Sequence, residues 1–186
     1  AWALGLTATY MFAEFAGGLI TGSLALLADA AHMLTDVAGL ALALIAIRFA
    51  AREATSKLTY GYLRLEVLSA LTNAVVLLLL TVYIIYEAYQ RFLAPPEVLS
   101  GPMLAVAVVG LIVNLISMRL LAGGSSESLN VKGAYFEVLG DMLGSLGVIA
   151  AALLMMWKGW RLADPIIGAG IGLFIVPRTW VLLKQV

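Results

Sequence analysis

Residues 24–49 read "LALLADAAHMLTDVAGLALALIAIRF" and decide the class of fold. Before Arg48, the only ionisable side chains in this stretch are Asp29, His32 and Asp36. A helix needs roughly 20 predominantly apolar residues to cross the hydrocarbon core of a bilayer. The stretch is therefore predicted to be a membrane-spanning helix with ionisable groups in its interior.

The rest of the chain has the same apolar character. Of its 186 residues, 63% are hydrophobic and 12% are charged, whereas a soluble domain is about half apolar and about a quarter charged. Residues 1–186 are therefore predicted to form a single all-α integral membrane domain of six transmembrane helices. The predicted spans are about 2–20, 24–49, 65–92, 102–121, 131–157 and 165–184.

The basic residues predict the orientation, because Lys and Arg accumulate on the cytoplasmic side of a membrane protein. Three of the 11 fall on one side, namely Arg91, Lys158 and Arg161. The other eight flank the even-numbered loops and the C-terminus, namely Arg48, Arg52, Lys57, Arg64, Arg119, Lys132, Arg178 and Lys184. Both termini are therefore predicted to be cytoplasmic. A net charge of zero predicts no nucleic acid partner, and the lack of cysteine excludes thiolate metal sites.

The two halves of the chain also resemble each other weakly. A shift of 105 residues places Asp36 on Asp141 and His32 on Glu137. This pattern predicts inverted-repeat-like halves of three spans each, an arrangement that places a transporter's site near the membrane midplane. A chance likeness in so biased a composition is the alternative.

Four ionisable residues near the middle of spans two and five are the candidate site. Each costs roughly 2.5–3.5 kcal/mol at the bilayer centre on insertion scales. His32 and Asp36, like Glu137 and Asp141, are four residues apart and share a helix face. In antiparallel spans, Asp36 would lie level with Glu137 and His32 with Asp141, which gives a cage of one nitrogen ligand and three carboxylates. Such a cage needs protons or a divalent metal; the alternative is that each pair only forms helix–helix hydrogen bonds.

Other polar residues in the spans have weaker interpretations. Asp29 is predicted either to line an entry path or to be a first-turn carboxylate favoured by the helix dipole. Glu14, Asn73 and Asn114 are predicted to make interhelical hydrogen bonds.

Other residues in the sequence predict where a helix begins and where helices pack closely. Asp164 is predicted to cap the sixth helix, with Pro165 in the first helical position. Pairs of glycines four residues apart predict close helix contacts, and they are Gly18 and Gly22, Gly140 and Gly144, and Gly168 and Gly172.

Four stretches together resemble the cation diffusion facilitator family, and within it the bacterial cobalt–zinc–cadmium efflux type. They are "GSLALLADAAHMLTDVAGLALAL", "TYGYLRLEVLSALTNAVVLL", "VKGAYFEVLGDMLGSLGVIAA" and "DPIIGAGIGLFIVPRTWVLL". The resemblance implies a dimeric six-span transporter of the bacterial inner membrane that exports divalent metal, chiefly zinc, in exchange for protons. Cobalt and cadmium are further candidate substrates, and no bound cofactor is expected.

The resemblance also implies a metal site on spans two and five. His32, Asp36 and Asp141 match the family pattern, whereas Glu137 stands where histidine or aspartate is more common. A shell with three oxygen ligands and one nitrogen leaves a preference for manganese or ferrous iron open. The family's histidine-rich loop is replaced by "GGSSESLN", and its cytosolic C-terminal metal-binding domain is expected to be absent from this chain.

Three rival functions differ in what they require. An intramembrane metalloenzyme would need a motif such as His-Glu-x-x-His, which a chain with one histidine lacks. A proton-coupled exporter of organic cations would need buried carboxylates and an aromatic cavity but no imidazole. A passive cation channel would conduct without a proton gradient. We therefore expect a secondary transporter that is not an enzyme, in which neutral imidazole and ionised carboxylates bind the metal and release protons.

Overall fold

The computed structural model describes residues 2–35, 37, 63–122 and 129–185, and the regular elements in these ranges are all helices. In chain order they are α1 Trp2–Thr21, α2 with Leu24–Thr35 as its continuous described part, α3 Leu63–Leu93, α4 Ser100–Ala122, α5 Leu129–Lys158 and α6 Ala163–Gln185. These bounds confirm the helices predicted for five of the spans. The second span is confirmed where it begins, and most of the remainder lies outside the described residues.

Tight turns join α1 to α2 and α5 to α6. Gly22 and Gly159 have φ angles of 71° and 64°, in the left-handed region that glycine adopts without a steric penalty. After the first turn, the Ser23 hydroxyl accepts a hydrogen bond from the Leu26 N–H at 3.2 Å and so caps α2. The Gly159 N–H closes α5 by donating to the Met155 carbonyl at 3.0 Å. Turns this short make each pair of helices antiparallel neighbours.

The first turns of α2 lie in the centre of the bundle. Ala25 and Leu26 pack in a buried cluster with residues of three other helices, namely Met103 and Ala107 of α4, Val148, Ala151, Ala152 and Met155 of α5, and Ala163 of α6. Around it, α1 packs on α4, α4 on α5, α5 on α6 and α6 on α3. The described polar side chains Asp29, His32 and Thr35 of α2 are accordingly buried.

Glycines allow the helices to approach closely. At four of the six predicted positions, a Cβ atom would lie between 2.7 and 3.2 Å from an atom of another helix, and these are Gly18, Gly144, Gly168 and Gly172. At Gly140, no atom of another described helix lies within 4 Å, and the prediction there is not tested against the undescribed part of the second span. The prediction is wrong at Gly22, which forms a turn. The close contacts of Gly18, Gly144 and Gly168 are all made with α2.

The polarity of the bundle suits a bilayer. Large apolar side chains point outwards, among them Phe12, Ile20, Leu79 and Phe174, each more than 60% exposed. Within the described part of the chain, three helices are long and apolar enough to cross a membrane, and two further apolar helices are shorter. Polar side chains are buried instead, and they include Glu14, Asp29, His32, Asn114, Asp141 and Asp164.

Asp164 does not cap its own helix, so that prediction is wrong. α6 begins one residue earlier, at Ala163, and the Ile166 N–H donates to the Leu162 carbonyl at 3.1 Å. Pro165 still lies in the first turn, where its missing N–H leaves no bond unmade. The side chain of Asp164 turns to the N-terminus of α2.

Candidate metal centre

The N-terminus of α2 is held by a buried carboxylate of α6. Asp164 is fully buried and accepts hydrogen bonds from the Ser23 hydroxyl at 2.6 Å, the Leu24 N–H at 2.8 Å and the Ala25 N–H at 3.2 Å. A helix leaves its first N–H groups without intrahelical partners, and its dipole favours an anion there. Asp164 meets both requirements and fixes the start of the helix that carries His32.

Arg91 of α3 completes this anchor. Its guanidinium lies 3.5 Å from the Asp164 carboxylate and donates to the Gly22 carbonyl and, at 3.0 Å, to Glu87. The anchor of Asp164, Arg91 and the turn at Gly22 therefore joins α2, α3 and α6 at one end of the bundle.

The contact between Asp29 and Gly144 fixes the register of α2 against α5. A Cβ on Gly144 would lie 2.7 Å from the Asp29 carboxylate. The two helices are antiparallel, because the start of α2 packs against the end of α5. Three residues further along α2 and three residues back along α5 are His32 and Asp141, which therefore stand at the same level.

His32 and Glu137 share a cavity. A space of about 540 Å³ is lined by both residues, by Phe136 and Gly140 of α5 and by Phe174 and Pro177 of α6, among others. His32 is 8% exposed and Asp141, one turn from Glu137, is 3% exposed. The cavity gives an ion room to reach an imidazole and a carboxylate on neighbouring helices.

The described residues do not close the predicted cage. Among them, no three histidine or acidic side chains come together closely enough to hold a metal ion. The fourth predicted ligand, Asp36, lies outside the described residues. The structure thus places His32 on α2 opposite Glu137 and Asp141 on α5, and His32 and Glu137 line the same cavity. The four-ligand set remains a prediction.

A second polar group lies between α1 and α2 and was not predicted as a unit. The carboxyl groups of Glu14 and Asp29 lie side by side, close enough to form a hydrogen bond. The Tyr10 hydroxyl donates to Glu14 Oε1 at 3.0 Å. Asp29 lies beyond the first turn of α2, so its interpretation as a first-turn carboxylate is wrong. The available signal was Glu14, which is the one charged residue of α1, but its partner depends on how the helices pack.

Interhelical hydrogen bonding is confirmed for Asn114. The Asn114 side-chain amide of α4 donates to the Ser145 hydroxyl of α5 at 3.4 Å. Asn73 is half-buried on α3.

A lipid-facing helical bundle with buried acids and a histidine at a cavity between helices is typical of an integral membrane protein of the ion-transporter class. Residues 2–186 match the cation efflux transmembrane domain family, and the chain belongs to this family, that of the cation diffusion facilitators. It is accordingly a protein of the bacterial inner membrane.

Named relatives agree with this assignment. The metal cation efflux system protein CzcD of Cupriavidus metallidurans is 56% identical over 183 residues, which are 98% of this chain and 58% of the relative. The zinc transporter ZitB of Escherichia coli is 49% identical over 185 residues, 99% of this chain and 59% of the relative. The cadmium, cobalt and zinc/H(+)-K(+) antiporter of Bacillus velezensis is 49% identical over 158 residues, 84% of this chain and 50% of the relative. The chain thus spans less than two thirds of their length. The three relatives are named for cation efflux, for zinc transport and for antiport of cadmium, cobalt and zinc.

Proposed function

We propose that the chain exports divalent metal cations in exchange for protons by alternating access. Zn²⁺ is the foremost substrate, with Co²⁺ and Cd²⁺ also carried; the metal is cargo, and no bound cofactor takes part. Family membership supports this proposal, as do the relatives named for cation efflux, zinc transport and antiport. The observation that carries it is the shared cavity of His32 and Glu137 on two antiparallel helices.

The proposed ligands are His32, Asp36, Glu137 and Asp141. The register of α2 and α5 supports a pairing of His32 with Asp141. Asp36 joins the set by sequence spacing, since it lies one turn beyond His32 on the predicted face. Zinc accepts imidazole and carboxylate ligands in tetrahedral geometry. A divalent ion would offset the carboxylate charge that a bilayer interior cannot solvate.

Protons take the place of the metal in the return step. Metal binding requires a neutral imidazole and ionised carboxylates, so it releases protons. A free imidazole titrates near pH 6.5, which makes His32 a suitable proton acceptor among the proposed ligands. Protons from the outer side displace the metal, and the protonated site returns inwards.

The wider assembly follows the same family pattern. We propose that residues 1–186 form one domain of six spans with both termini in the cytoplasm, embedded in the lipid bilayer as a homodimer. The distribution of basic residues supports the orientation.

Zinc uptake into proteoliposomes under an imposed pH gradient tests the proposal. We expect zinc uptake to require the gradient and to be abolished by Asp141→Ala and by Asp36→Ala. The matched control is Glu97→Gln, because Glu97 is an exposed carboxylate that pairs with Arg161 at 2.8 Å. Unchanged uptake in either alanine variant would reject the proposed site.

The metal preference has a separate test. Glu137→His replaces a carboxylate by imidazole, a softer ligand that binds zinc more strongly than it binds manganese. The ratio of zinc uptake to manganese uptake should therefore rise when the two metals compete. An unchanged ranking of Zn²⁺, Co²⁺, Cd²⁺, Mn²⁺ and Fe²⁺ would remove Glu137 from the ligand set. Thermal stabilisation of the detergent-solubilised protein by these metals separates a metal exporter from an exporter of organic cations.

A further inference from the structure

Glu14 and Asp29 form a buried pair of acids outside the proposed metal ligands. Glu14 is 0% and Asp29 is 2% exposed, and their side chains lie close enough to form a hydrogen bond with each other. On one side Tyr10 donates to Glu14 at 3.0 Å. On the other, Asp29 lies against the backbone of Gly144, with no room for a side chain there. Helices α1, α2 and α5 thus enclose the pair.

A hydrogen bond between two carboxyl groups requires a proton. An ionised carboxylate only accepts hydrogen bonds, so one of the two groups must be a carboxylic acid that donates to the other. Two ionised carboxylates side by side in a low-dielectric interior would repel each other without compensation. The contact between Glu14 and Asp29 is therefore a contact of one acid and one carboxylate.

The pair has unused acceptor atoms and an adjoining cavity. Within the described residues, Glu14 Oε2 and Asp29 Oδ2 have no hydrogen-bond partner. Asp29 lines a cavity of about 280 Å³ whose wall also includes His32 and Gly144. Water in this cavity would connect a buried, incompletely bonded carboxylate with the proposed metal site.

The titratable groups around the pair come from three helices. Tyr10 lies on α1, His32 lies one turn along α2, and Asp141 of α5 is close enough to act on Tyr10 and Glu14 through space. From α4, the described neighbours of Tyr10 are the Val106 carbonyl and Gly110, which are neutral. Among the described residues, Asp141 is thus a negative charge close to the pair and also a proposed metal ligand.

We propose that Glu14 and Asp29 are a proton-binding site, distinct from the metal ligands, that holds one shared proton and releases it when the metal binds. This inference rests on the proposed function and adds a second proton-binding group to His32. With the metal absent, the charge of Asp141 favours the protonated pair. A bound divalent ion cancels that charge, the proton leaves through the cavity beside His32, and it returns when the metal departs. By linkage, loss of the pair must make metal affinity less dependent on pH.

The test compares wild type with Glu14→Gln, Asp29→Asn and the double variant, and Glu97→Gln again serves as control. Calorimetric zinc titrations in buffers of different ionisation enthalpy count the protons released per metal. We expect about one proton fewer in the double variant than in wild type. Uptake driven by a pH gradient should fall by roughly tenfold or more, whereas exchange of zinc for zinc across the membrane should persist.

Infrared difference spectra give an independent readout. In wild type and in Glu97→Gln, the C=O band of a protonated carboxylic acid should disappear when zinc is added. That loss should be missing from the double variant. Zinc-dependent thermal stabilisation shows that each variant is folded and binds metal, and the two single variants serve if the double variant is unstable.

Two kinds of failure are distinguishable. If wild type takes up zinc under a pH gradient and the double variant releases the same number of protons per metal, the acid pair is not the proton site and the proposed function stands. If wild type itself shows no proton-coupled zinc transport, the proposed function fails and this inference fails with it.

Discussion

Removal of the Asp164 carboxylate is expected to be among the most damaging single changes outside the proposed site. Asp164→Ala deletes the acceptor of three hydrogen bonds, from the Ser23 hydroxyl at 2.6 Å, the Leu24 N–H at 2.8 Å and the Ala25 N–H at 3.2 Å. It also deletes the carboxylate that lies 3.5 Å from Arg91. The freed donors are buried, so water does not replace the lost acceptor.

The size of the effect follows from these contacts. Removing one partner of a buried ion pair costs about 3–5 kcal/mol, and losing a helix cap costs about 0.5–2 kcal/mol. Arg91 keeps its bonds to the Gly22 carbonyl and to Glu87, which limits the loss on its side. We therefore expect Asp164→Ala to lower the free energy of unfolding by about 3–4 kcal/mol.

Two milder variants should lower the free energy of unfolding by smaller amounts. Asp164→Asn keeps one acceptor oxygen but loses the charge, and bonds to charged groups are worth about 1.5–3 kcal/mol, so about 2 kcal/mol is expected. Ser23→Ala removes one donor to Asp164 and the cap of Leu26, and about 1 kcal/mol is expected. Unfolding by SDS in mixed micelles, followed by circular dichroism, measures all three. A loss below about 1 kcal/mol in Asp164→Ala, or a larger loss in Ser23→Ala, would refute the anchor.

The same series has a functional readout. His32 lies eight residues after Leu24 on α2, about 12 Å along the helix axis, so a loosened start of α2 displaces His32 relative to Asp141. Zinc affinity should therefore fall in the order of the stability losses. A variant that is destabilised by 3 kcal/mol but binds zinc as tightly as wild type would show that the anchor does not position His32.

Further predictions concern packing and the surface. Gly168→Ala should destabilise the protein by about 1–3 kcal/mol, because its Cβ would lie 3.2 Å from the Leu24 backbone, which cannot move aside as a flexible side chain can. Gly170→Ala lies on the same helix, with no atom of another described residue within 4 Å of the new Cβ. It should instead stabilise the protein by up to about 1 kcal/mol through helix propensity, and the SDS titration compares the two variants directly. Glu97→Gln should change stability by less than about 1 kcal/mol, since its ion pair with Arg161 has side chains 83% and 54% exposed, and a larger loss in the same titration would contradict a screened surface contact.

The helices were predictable because their signal is local. A long apolar run bounded by glycine, proline and charged residues predicts a helix without knowledge of its neighbours, and five helices have their ends close to the predicted positions. The level of His32 with Asp141 was predictable for a similar reason. Spacing of four residues on two antiparallel helices leaves few registers, and the contact of Asp29 with Gly144 selects the predicted one.

The partners of isolated polar residues were not predictable. Asp164 followed by Pro165 carries the local signal of a helix cap, yet the carboxylate caps a helix that begins 140 residues earlier. Glu14 carried a signal only as a lone acid in an apolar helix. Its contact with Asp29 depends on how closely α1 approaches α2, which the contact of Gly18 with Leu27 sets, and a single sequence does not encode that distance in any short pattern.

One electrostatic constraint links the two proposed sites. Among the described residues, the fully or nearly fully buried ionisable groups are acids and one histidine, and none is a lysine or arginine. Apart from Arg91, which pairs with Asp164 at one end of the bundle, the described residues around α2 supply no fixed positive charge to offset Glu14, Asp29 and Asp141, and in a bilayer an uncompensated charge is costly. Ions that enter from outside would then have to neutralise these carboxylates, either as protons on Glu14 and Asp29 or as a divalent metal beside His32 and Asp141. If both occupants offset the same negative charge, the binding of one weakens the binding of the other, and that mutual weakening would be the thermodynamic basis of the proposed exchange.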